Sequence, residues 1–279
     1  MHQSGFRQHD STSFQLARLV HRLAKGIDDG KFVFACFYDL AKAFDRVWHA
    51  GLLHKLHHFG VRGQAHAWLK SYLTQRQQCV RVNAELSPWL AVPAGVPQGS
   101  VLGPLLFLAY TIDLPRVVRE PATECDQFAD DTALTTVSTP VATAQRSLQA
   151  SVDATAHWLS SWRLAVNRDK TVIMEFSRRS LPSPCAITYM GDQLKRAQTQ
   201  KHLGLVLSSD LRWTAHVDRV LAKATPLLGT LSRLRGSLSR RALSAFYLIY
   251  VRPIVEYASI AWPSLPAHLS DRSEERRVG

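Results

Sequence analysis

Two adjacent aspartates, Asp130 and Asp131, constrain this chain more than any other feature. They lie between Phe128-Ala129 and a run, residues 132–137, that predicts a β-strand. Neighbouring carboxylates repel each other, and removing even one of them from water is costly unless a cation compensates its charge. The pair therefore predicts either a solvated β-turn, in which aspartate is common, or a site for a divalent cation with oxygen ligands.

A third carboxylate upstream favours the cation site. Phe32–Tyr38 is a short, nearly unbroken apolar run, which predicts a strand buried on both faces, and Asp39 follows it directly. Residues 124–137 predict a β-hairpin that carries the two aspartates at its tip and could adjoin this strand. Three carboxylates at one end of a sheet could hold two Mg²⁺ ions about 3.5–4 Å apart, which clamp the attacking and leaving oxygens of a phosphoryl transfer.

The charge of the chain indicates a polyanionic partner. Lys and Arg number 34 against 22 Asp and Glu, a net charge of +12, which favours nucleic acid over an acidic membrane surface. No apolar run approaches the ~18 residues of a membrane span, and residues 1–10 have no signal-peptide core. We therefore expect no membrane partner and an intracellular, reducing location. The four cysteines are Cys36, Cys79, Cys125 and Cys185. Because they are dispersed along the chain, they predict neither a zinc site nor a disulfide framework.

Hydrophobic periodicity predicts an α+β chain with a boundary near Ser209. The first predicted helix is capped by Ser11 or Thr12 and ends near Gly26. Further helices are predicted before the boundary at residues 42–47, 52–59, 65–72, 105–112 and 139–159. The predicted strands, apart from those above, are 79–83 with 89–92 as hairpin partner, 171–176, 187–190 and 203–207. Two basic helices, residues 211–234 and 238–250, follow the boundary.

A loop at residues 93–104 carries glycines and prolines in front of an apolar helix. Such a loop exposes backbone N–H groups and lets a substrate approach the main chain closely. It is equally typical of an ordinary helix entry with proline in the first turn. The loop alone does not decide between these interpretations.

Taken in order, these segments resemble the reverse transcriptase of non-LTR retrotransposons, closest to the jockey-like LINE elements of animals. The resemblance covers roughly residues 3–263 and rests on several motifs. They are Gln-Ser-Gly-Phe-Arg at 3–7 with Ser11-Thr12, Asp-Leu-Ala-Lys-Ala-Phe-Asp-Arg-Val at 39–47, the loop at 95–104, Phe-Ala-Asp-Asp at 128–131, residues 162–170, His-Leu-Gly-Leu at 202–205 and Leu-Arg-Trp at 211–213.

The resemblance implies a right-hand polymerase fold, with partial fingers and the palm in residues 1–208 and a helical, partial thumb in residues 209–271. It implies RNA-templated DNA synthesis, in which a DNA primer 3′-OH attacks a dNTP with the help of two Mg²⁺ ions. An RNA template, a DNA primer and dNTPs would be the partners. A retrotransposon ribonucleoprotein of the cytoplasm and nucleus would be the location.

The resemblance also implies roles for individual residues. Asp39, Asp130 and Asp131 would bind the metal ions, with the Leu40 carbonyl able to help. Lys170 matches a lysine proposed to protonate the departing pyrophosphate, although a solvated turn lysine explains it nearly as well.

Other positions match the substrate site of the family. Phe44 would lie under the incoming sugar and exclude a 2′-OH, unless it is simply a core residue. Gln98 and Gly99 would lie against the nascent base pair, and Arg7 would meet the triphosphate. Asp45 does not match a metal ligand, so we expect it to cap a helix or form an ion pair.

Some parts of the family pattern are missing from this sequence. A fingers element upstream of Gln3 and an endonuclease domain are not found, and residues 272–279 do not resemble the family and predict a non-native or disordered tail. A truncated relic that binds nucleic acid without turnover is therefore an alternative. A metal-dependent nuclease of another fold would share the carboxylates, but it would not explain the loop at 95–104 or Phe44.

Overall fold

The computed structural model describes residues 3–177 and 186–262. Cys185, residues 263–271 at the end of the predicted thumb-like segment, and the tail at 272–279 lie outside these ranges. The helices are α1 (Thr12–Asp28), α2 (His49–His58), α3 (Gly63–Leu73), α4 (Leu102–Thr111), α5 (Val141–Ser161), α6 (Thr214–Leu234), α7 (Arg240–Phe246) and α8 (Arg252–Glu256). The strands are β1 (Phe32–Tyr38), β2 (Gln77–Gln78), β3 (Arg81–Val82), β4 (Glu85–Leu86), β5 (Leu90–Ala91), β6 (Thr123–Phe128), β7 (Asp131–Ser138), β8 (Val172–Phe176), β9 (Thr188–Tyr189), β10 (Asp192–Gln193), β11 (Lys195–Arg196), β12 (Thr199–His202) and β13 (Leu205–Ser208).

A five-stranded sheet in the order β11-β8-β1-β7-β6 forms the centre of the molecule. β1 pairs antiparallel with both β7 and β8, as the unbroken apolar run of its sequence predicts for a strand buried on both faces. Phe34 and Cys36 face one core with α5, whereas Val33 and Phe37 face a second core with α1. The α+β class expected from the sequence is confirmed.

The first helix begins as predicted but ends later. The Ser11 hydroxyl caps α1 by accepting a hydrogen bond from the Phe14 amide at 3.2 Å. The predicted end at Gly26 is wrong, because the helix continues to Asp28. A Cβ atom at Gly26 would lie 2.6 Å from the Val33 side chain, so this glycine permits close packing of the helix on the sheet.

The hairpin predicted after α3 has a different pairing. β3 pairs with β4 through a tight turn at Asn83, whose φ of 55° is tolerated by asparagine. β5 pairs instead with β2, so the predicted pairing of residues 79–83 with 89–92 is wrong. The exposed hydrophobic side chains of this region, Val80, Val82, Leu86, Trp89 and Leu90, supplied an alternating pattern without a core beneath it.

Two other predicted helices are shorter than expected because of left-handed residues. Residues 42–47 form only a 3₁₀ turn at Phe44–Arg46, since Lys42 has a φ of 51°. Leu211 has a φ of 52°, and α6 accordingly begins at Thr214. The start of α6 packs onto the core shared by α1 and the sheet through Val217. The division into fingers, palm and thumb stays a prediction.

None of the helices in residues 3–177 and 186–262 is both long enough and apolar enough to cross a bilayer.

Candidate active site

The strand register brings the three aspartates to one end of the sheet. Tyr38 at the end of β1 faces Thr132 of β7, and Asp131 opens β7 opposite Phe128 of β6. Extending the β1–β7 register by one residue places Asp39 opposite Asp131. Opposite residues of antiparallel strands have Cα atoms about 4.5–5.5 Å apart and side chains on the same face. Asp39 and Asp131 therefore share one site, and Asp130, directly before Asp131, belongs to it because the charge of Asp39 acts on it.

The main chain around Asp39 is held by its neighbours. The Asp39 amide donates to Thr171 Oγ1 at 3.1 Å, and its carbonyl accepts from the Asn167 amide at 2.7 Å. Leu40 forms an antiparallel bridge with Val166, and the hydrogen bonds of this bridge flank Leu40. This pattern directs the Leu40 carbonyl away from Val166, so the bridge leaves it free as a ligand.

The charges of the site act on one another. Burial raises the pKa of Asp130 above its ordinary value, and the charge of Asp39 adds to this rise. Partial burial, followed by the charges of Asp130 and Asp39, raises the pKa of Asp131 to about 6, whereas Lys201 opposes the rise. Asp131 also remains exposed to solvent, so a cation can reach it. A bound cation would relieve the repulsion among these carboxylates.

The donor set fits a hard divalent cation, because it consists of oxygen atoms alone. In the part of the chain that the structure describes, no three His, Cys, Asp or Glu side chains are already arranged as ligands of a metal ion. The chemistry of the residues thus supports the binding of a divalent ion at this site.

The loop at 93–104 lies directly against the segment that follows Asp39. Gly95, with a φ of 97°, donates to the Val47 carbonyl at 2.8 Å, and a Cβ atom there would lie 2.9 Å from the Asp45 backbone. Gln98 Nε2 donates to the Asp45 carboxylate at 2.8 Å. Asp45 therefore anchors this loop, rather than capping a helix or forming an ion pair among the described residues. Gly99 has a φ of 77° and open space around it.

A polar cavity of about 630 Å³ opens beside this loop. Lys42 and Arg76 supply positive charge to its lining, and Asp45 and Gln98 also line it. The loop thus does more than begin a helix, because it forms one wall of this cavity. Two cations against one carboxylate in its lining suit an anionic ligand.

Phe44 lies half-buried at the border of the core. Its ring stacks on Phe107 with the ring centroids 4.3 Å apart, and its carbonyl accepts from the Val96 amide at 2.9 Å. These contacts hold the ring rigidly, which suits both of the interpretations given above. A role in sugar selection stays a prediction.

The two cations proposed from the sequence, Lys170 and Arg7, are both exposed. Lys170 is exposed in the turn that begins at Asn167, the residue bonded to the Asp39 carbonyl. Among the described carboxylates none pairs with Lys170. Arg7 is exposed and donates to the Gln3 carbonyl at 3.3 Å. Their contacts with substrate stay predictions.

Sequence reasoning missed two residues of this site. Gln3 forms hydrogen bonds with the backbone of Ala129, immediately before Asp130. Lys201 is the cation whose charge acts on Asp131. Gln3 is the first residue of the motif at residues 3–7, and Lys201 directly precedes the motif at residues 202–205. This proximity to a motif was the one sequence feature that could have indicated either residue.

Comparisons with known proteins show the family of this chain. A family model described as reverse transcriptase (RNA-dependent DNA polymerase) matches residues 1–207. The chain is 35% identical over 277 residues to a probable RNA-directed DNA polymerase from transposon BS of Drosophila melanogaster, covering 94% of this chain and 30% of that protein. It is 33% identical over 225 residues to the RNA-directed DNA polymerase from mobile element jockey of the same fly, covering 78% of this chain and 24% of that protein. The chain thus spans about a quarter to a third of the length of these relatives.

Solved structures with a similar fold include telomerases of Candida tropicalis. The apo enzyme matches with a TM-score of 0.54 and 11% identity, covering 99% of this chain and 47% of that chain. The complex with the TWJ fragment of telomeric RNA matches with a TM-score of 0.52 and 11% identity, covering 99% and 46%. At this identity the likeness shows the fold alone, and it confirms the expected polymerase palm.

Proposed function

Because this chain belongs to the reverse transcriptase family, we propose that it synthesises DNA on an RNA template, using dNTPs and a DNA primer. The observation that carries the proposal is the meeting of Asp39, Asp130 and Asp131 at one end of the central sheet. The electrostatic coupling of these carboxylates supports it, because each raised pKa marks a site that gains from a bound cation. A ribonucleoprotein of the cytoplasm and nucleus remains our proposed location.

In the proposed reaction the primer 3′-oxygen forms a bond with the α-phosphorus of a dNTP. The bond between this phosphorus and the bridging oxygen of pyrophosphate breaks, and the 3′-OH gives its proton to solvent water. Enzymes of this family use divalent metal ions. Two Mg²⁺ ions, held by the three aspartates and the Leu40 carbonyl, would stabilise the charge that develops on the phosphate. Lys170, close to Asp39, would protonate the leaving pyrophosphate.

The substrate would lie along the surfaces described above. The nascent base pair would contact the main chain at Gly99 and the Gln98 side chain, which Asp45 holds in place. The rigidly stacked Phe44 would meet the sugar, and Arg7 would meet the triphosphate. The nucleic acid backbone would follow basic side chains of the cavity and of the C-terminal helices, namely Lys42, Arg76, Arg219, Lys223, Arg233, Arg240 and Arg241.

Primer extension on an RNA template, with dNTPs and Mg²⁺, tests the proposal. Asp130→Asn should abolish extension, because it removes one ligand charge from the shared site. Asp153→Asn is the matched control, since Asp153 is exposed on α5 and takes no part in the contacts of the aspartate site. Extension by the unaltered chain and by the control, but not by Asp130→Asn, supports the polymerase.

Two other outcomes would contradict it. RNA binding without extension in all three proteins would favour the nucleic-acid-binding relic. The logarithm of the affinity should then still fall with the logarithm of salt concentration, by about 0.7 to 0.9 for each phosphate contact. Cleavage of the nucleic acid, lost only in Asp130→Asn, would favour a nuclease.

A further inference from the structure

We propose that Gln3 is a positioning residue, whose side-chain amide clamps the main chain of Ala129 and thereby fixes the turn that carries Asp130 and Asp131. This inference rests on the proposed function, because it assigns the two aspartates to the reacting site. Gln3 itself would not touch the substrate. It would act through the direction in which the two carboxylates leave the turn.

The contacts of Gln3 engage both polar groups of one residue. Gln3 Oε1 accepts a hydrogen bond from the Ala129 amide at 3.0 Å, and Gln3 Nε2 donates to the Ala129 carbonyl at 3.4 Å. The same Oε1 also accepts from the Gly5 amide at 2.8 Å. Ala129 is the residue directly before Asp130, so its backbone orientation decides where the aspartates point.

The turn needs such a clamp because of its backbone conformation. Ala129 has a φ of 56°, in the left-handed region, which a residue with a Cβ atom adopts at an energetic cost. Strained residues of this kind persist where their surroundings over-determine them, and they cluster at functional sites. Ala129 is also buried, so water cannot replace the bonds from Gln3 without rearrangement.

The segment that holds Gln3 is itself fixed to the sheet and to α1. Gln3 forms a parallel bridge with Gln127, and the Ser4 amide donates to the Gln127 carbonyl at 2.9 Å. Arg18 of α1 donates to the Ser4 hydroxyl at 2.5 Å. A Cβ atom at Gly5 would collide with the Ala129 amide nitrogen, so only glycine lets the segment lie this close to the turn. Gln3 is thus a rigid support for the aspartates.

The experiment compares variants of the full 279-residue chain. Gln3→Met keeps the length of the side chain but removes its two hydrogen bonds with Ala129 and the one it accepts from Gly5. Gln3→Asn keeps the amide but is too short to reach Ala129, and it carries the test if Gln3→Met does not fold. Gln8→Met is the matched control, because Gln8 is exposed in the same segment. Thermal unfolding establishes that each variant is folded.

Three measurements are made on each folded variant. Hydrogen exchange of the segment 126–133 reports the protection of the Ala129 amide. Electron paramagnetic resonance of free Mn²⁺ reports metal affinity, counting only the binding that Asp130→Asn removes. Single-nucleotide primer extension gives kcat and the KM for dNTP.

We expect both Gln3 variants to speed exchange of this segment and to weaken Mn²⁺ binding by about 10-fold, the lower end of the range for supports of metal ligands. The kcat should fall by a similar factor with little change in KM, while Gln8→Met matches the unaltered chain. Unchanged exchange, or faster exchange with unchanged Mn²⁺ affinity and kcat, would overturn the role of Gln3 while leaving the proposed function standing. An unaltered chain without Asp130-dependent Mn²⁺ binding would overturn the proposed function and the role of Gln3 with it.

Discussion

The buried histidine His202 should make the stability of the protein depend on pH. It lies in β12 with 4% of its surface exposed, 5.1 Å from the Phe37 ring between centroids. Its Nε2 atom has no hydrogen-bonding partner among the described residues. Burial lowers the pKa of His202 to about 4, and the charge of Asp126 opposes this only in part. The folded protein therefore holds this ring in its neutral form.

The sign and size of the effect follow from the two pKa values. In the unfolded chain the pKa of His202 is 6.5, so between pH 6.5 and about pH 4 the unfolded chain binds more protons than the folded one. The stability contributed by the neutral ring is therefore complete above pH 6.5 and is lost as the pH falls through this window. Because proton binding and folding are linked, this difference in pKa should lower the free energy of unfolding by about 2 kcal/mol between about pH 7.5 and about pH 5.

His202→Gln removes the titrating group and keeps a polar side chain in its place. Urea unfolding at the two pH values, followed by tryptophan fluorescence, gives the free energy of unfolding of each protein. The variant should lose about 2 kcal/mol less on acidification than the unaltered chain does. His54→Gln, which alters an exposed histidine, should keep the original loss. Equal losses in the His202→Gln variant and the unaltered chain would refute the reasoning.

Three further substitutions test other contacts of the structure. Arg22→Leu should lower the free energy of unfolding by about 2–4 kcal/mol in urea titrations, because Arg22 lies 2.6 Å from the buried carboxylate of Asp126 and no other described Lys or Arg forms an ion pair with it. Lys55→Met should lower it by about 2–3 kcal/mol by differential scanning calorimetry, since the buried Lys55 ammonium lies 3.6 Å from the Trp162 ring centroid. Phe44→Val should raise incorporation of ribonucleotides relative to deoxyribonucleotides in primer extension, because a smaller side chain leaves room for a 2′-OH.

Matched controls separate these effects from general damage. Arg252→Leu, at an arginine whose side chain is 52% exposed and pairs with Glu256 one helical turn away, should cost less than about 1 kcal/mol. A loss equal to that of Arg22→Leu would contradict the buried-pair argument. Lys70→Met, at a lysine exposed on α3, should leave the unfolding temperature nearly unchanged. An unchanged ratio of ribonucleotide to deoxyribonucleotide incorporation in an active Phe44→Val protein would return Phe44 to a core role.

The strands that carry the aspartates were predictable because their signals are local. An unbroken apolar run marked β1, and a carboxylate directly after it marked the end of the strand. The hairpin of β6 and β7 was likewise evident from alternating residues around Asp130 and Asp131. Burial on two faces requires apolar side chains throughout a strand, so the composition of the run by itself predicts a buried strand. The motifs then sufficed to identify the family.

The tertiary structure alone decided which distant segments meet. Neither the helix that passes through Gly26 nor the pairing of β2 with β5 follows from nearby residues, because each depends on what packs or pairs opposite. The same holds for Gln3 and Ala129, which are 126 residues apart in the chain. The local sequence pattern indicates whether a residue needs a buried or an exposed environment. Which distant residue packs against it or bonds to it depends on packing and hydrogen bonding across the whole fold. The aspartates of the site could therefore be predicted from the sequence, whereas the contact of Gln3 with Ala129 could not.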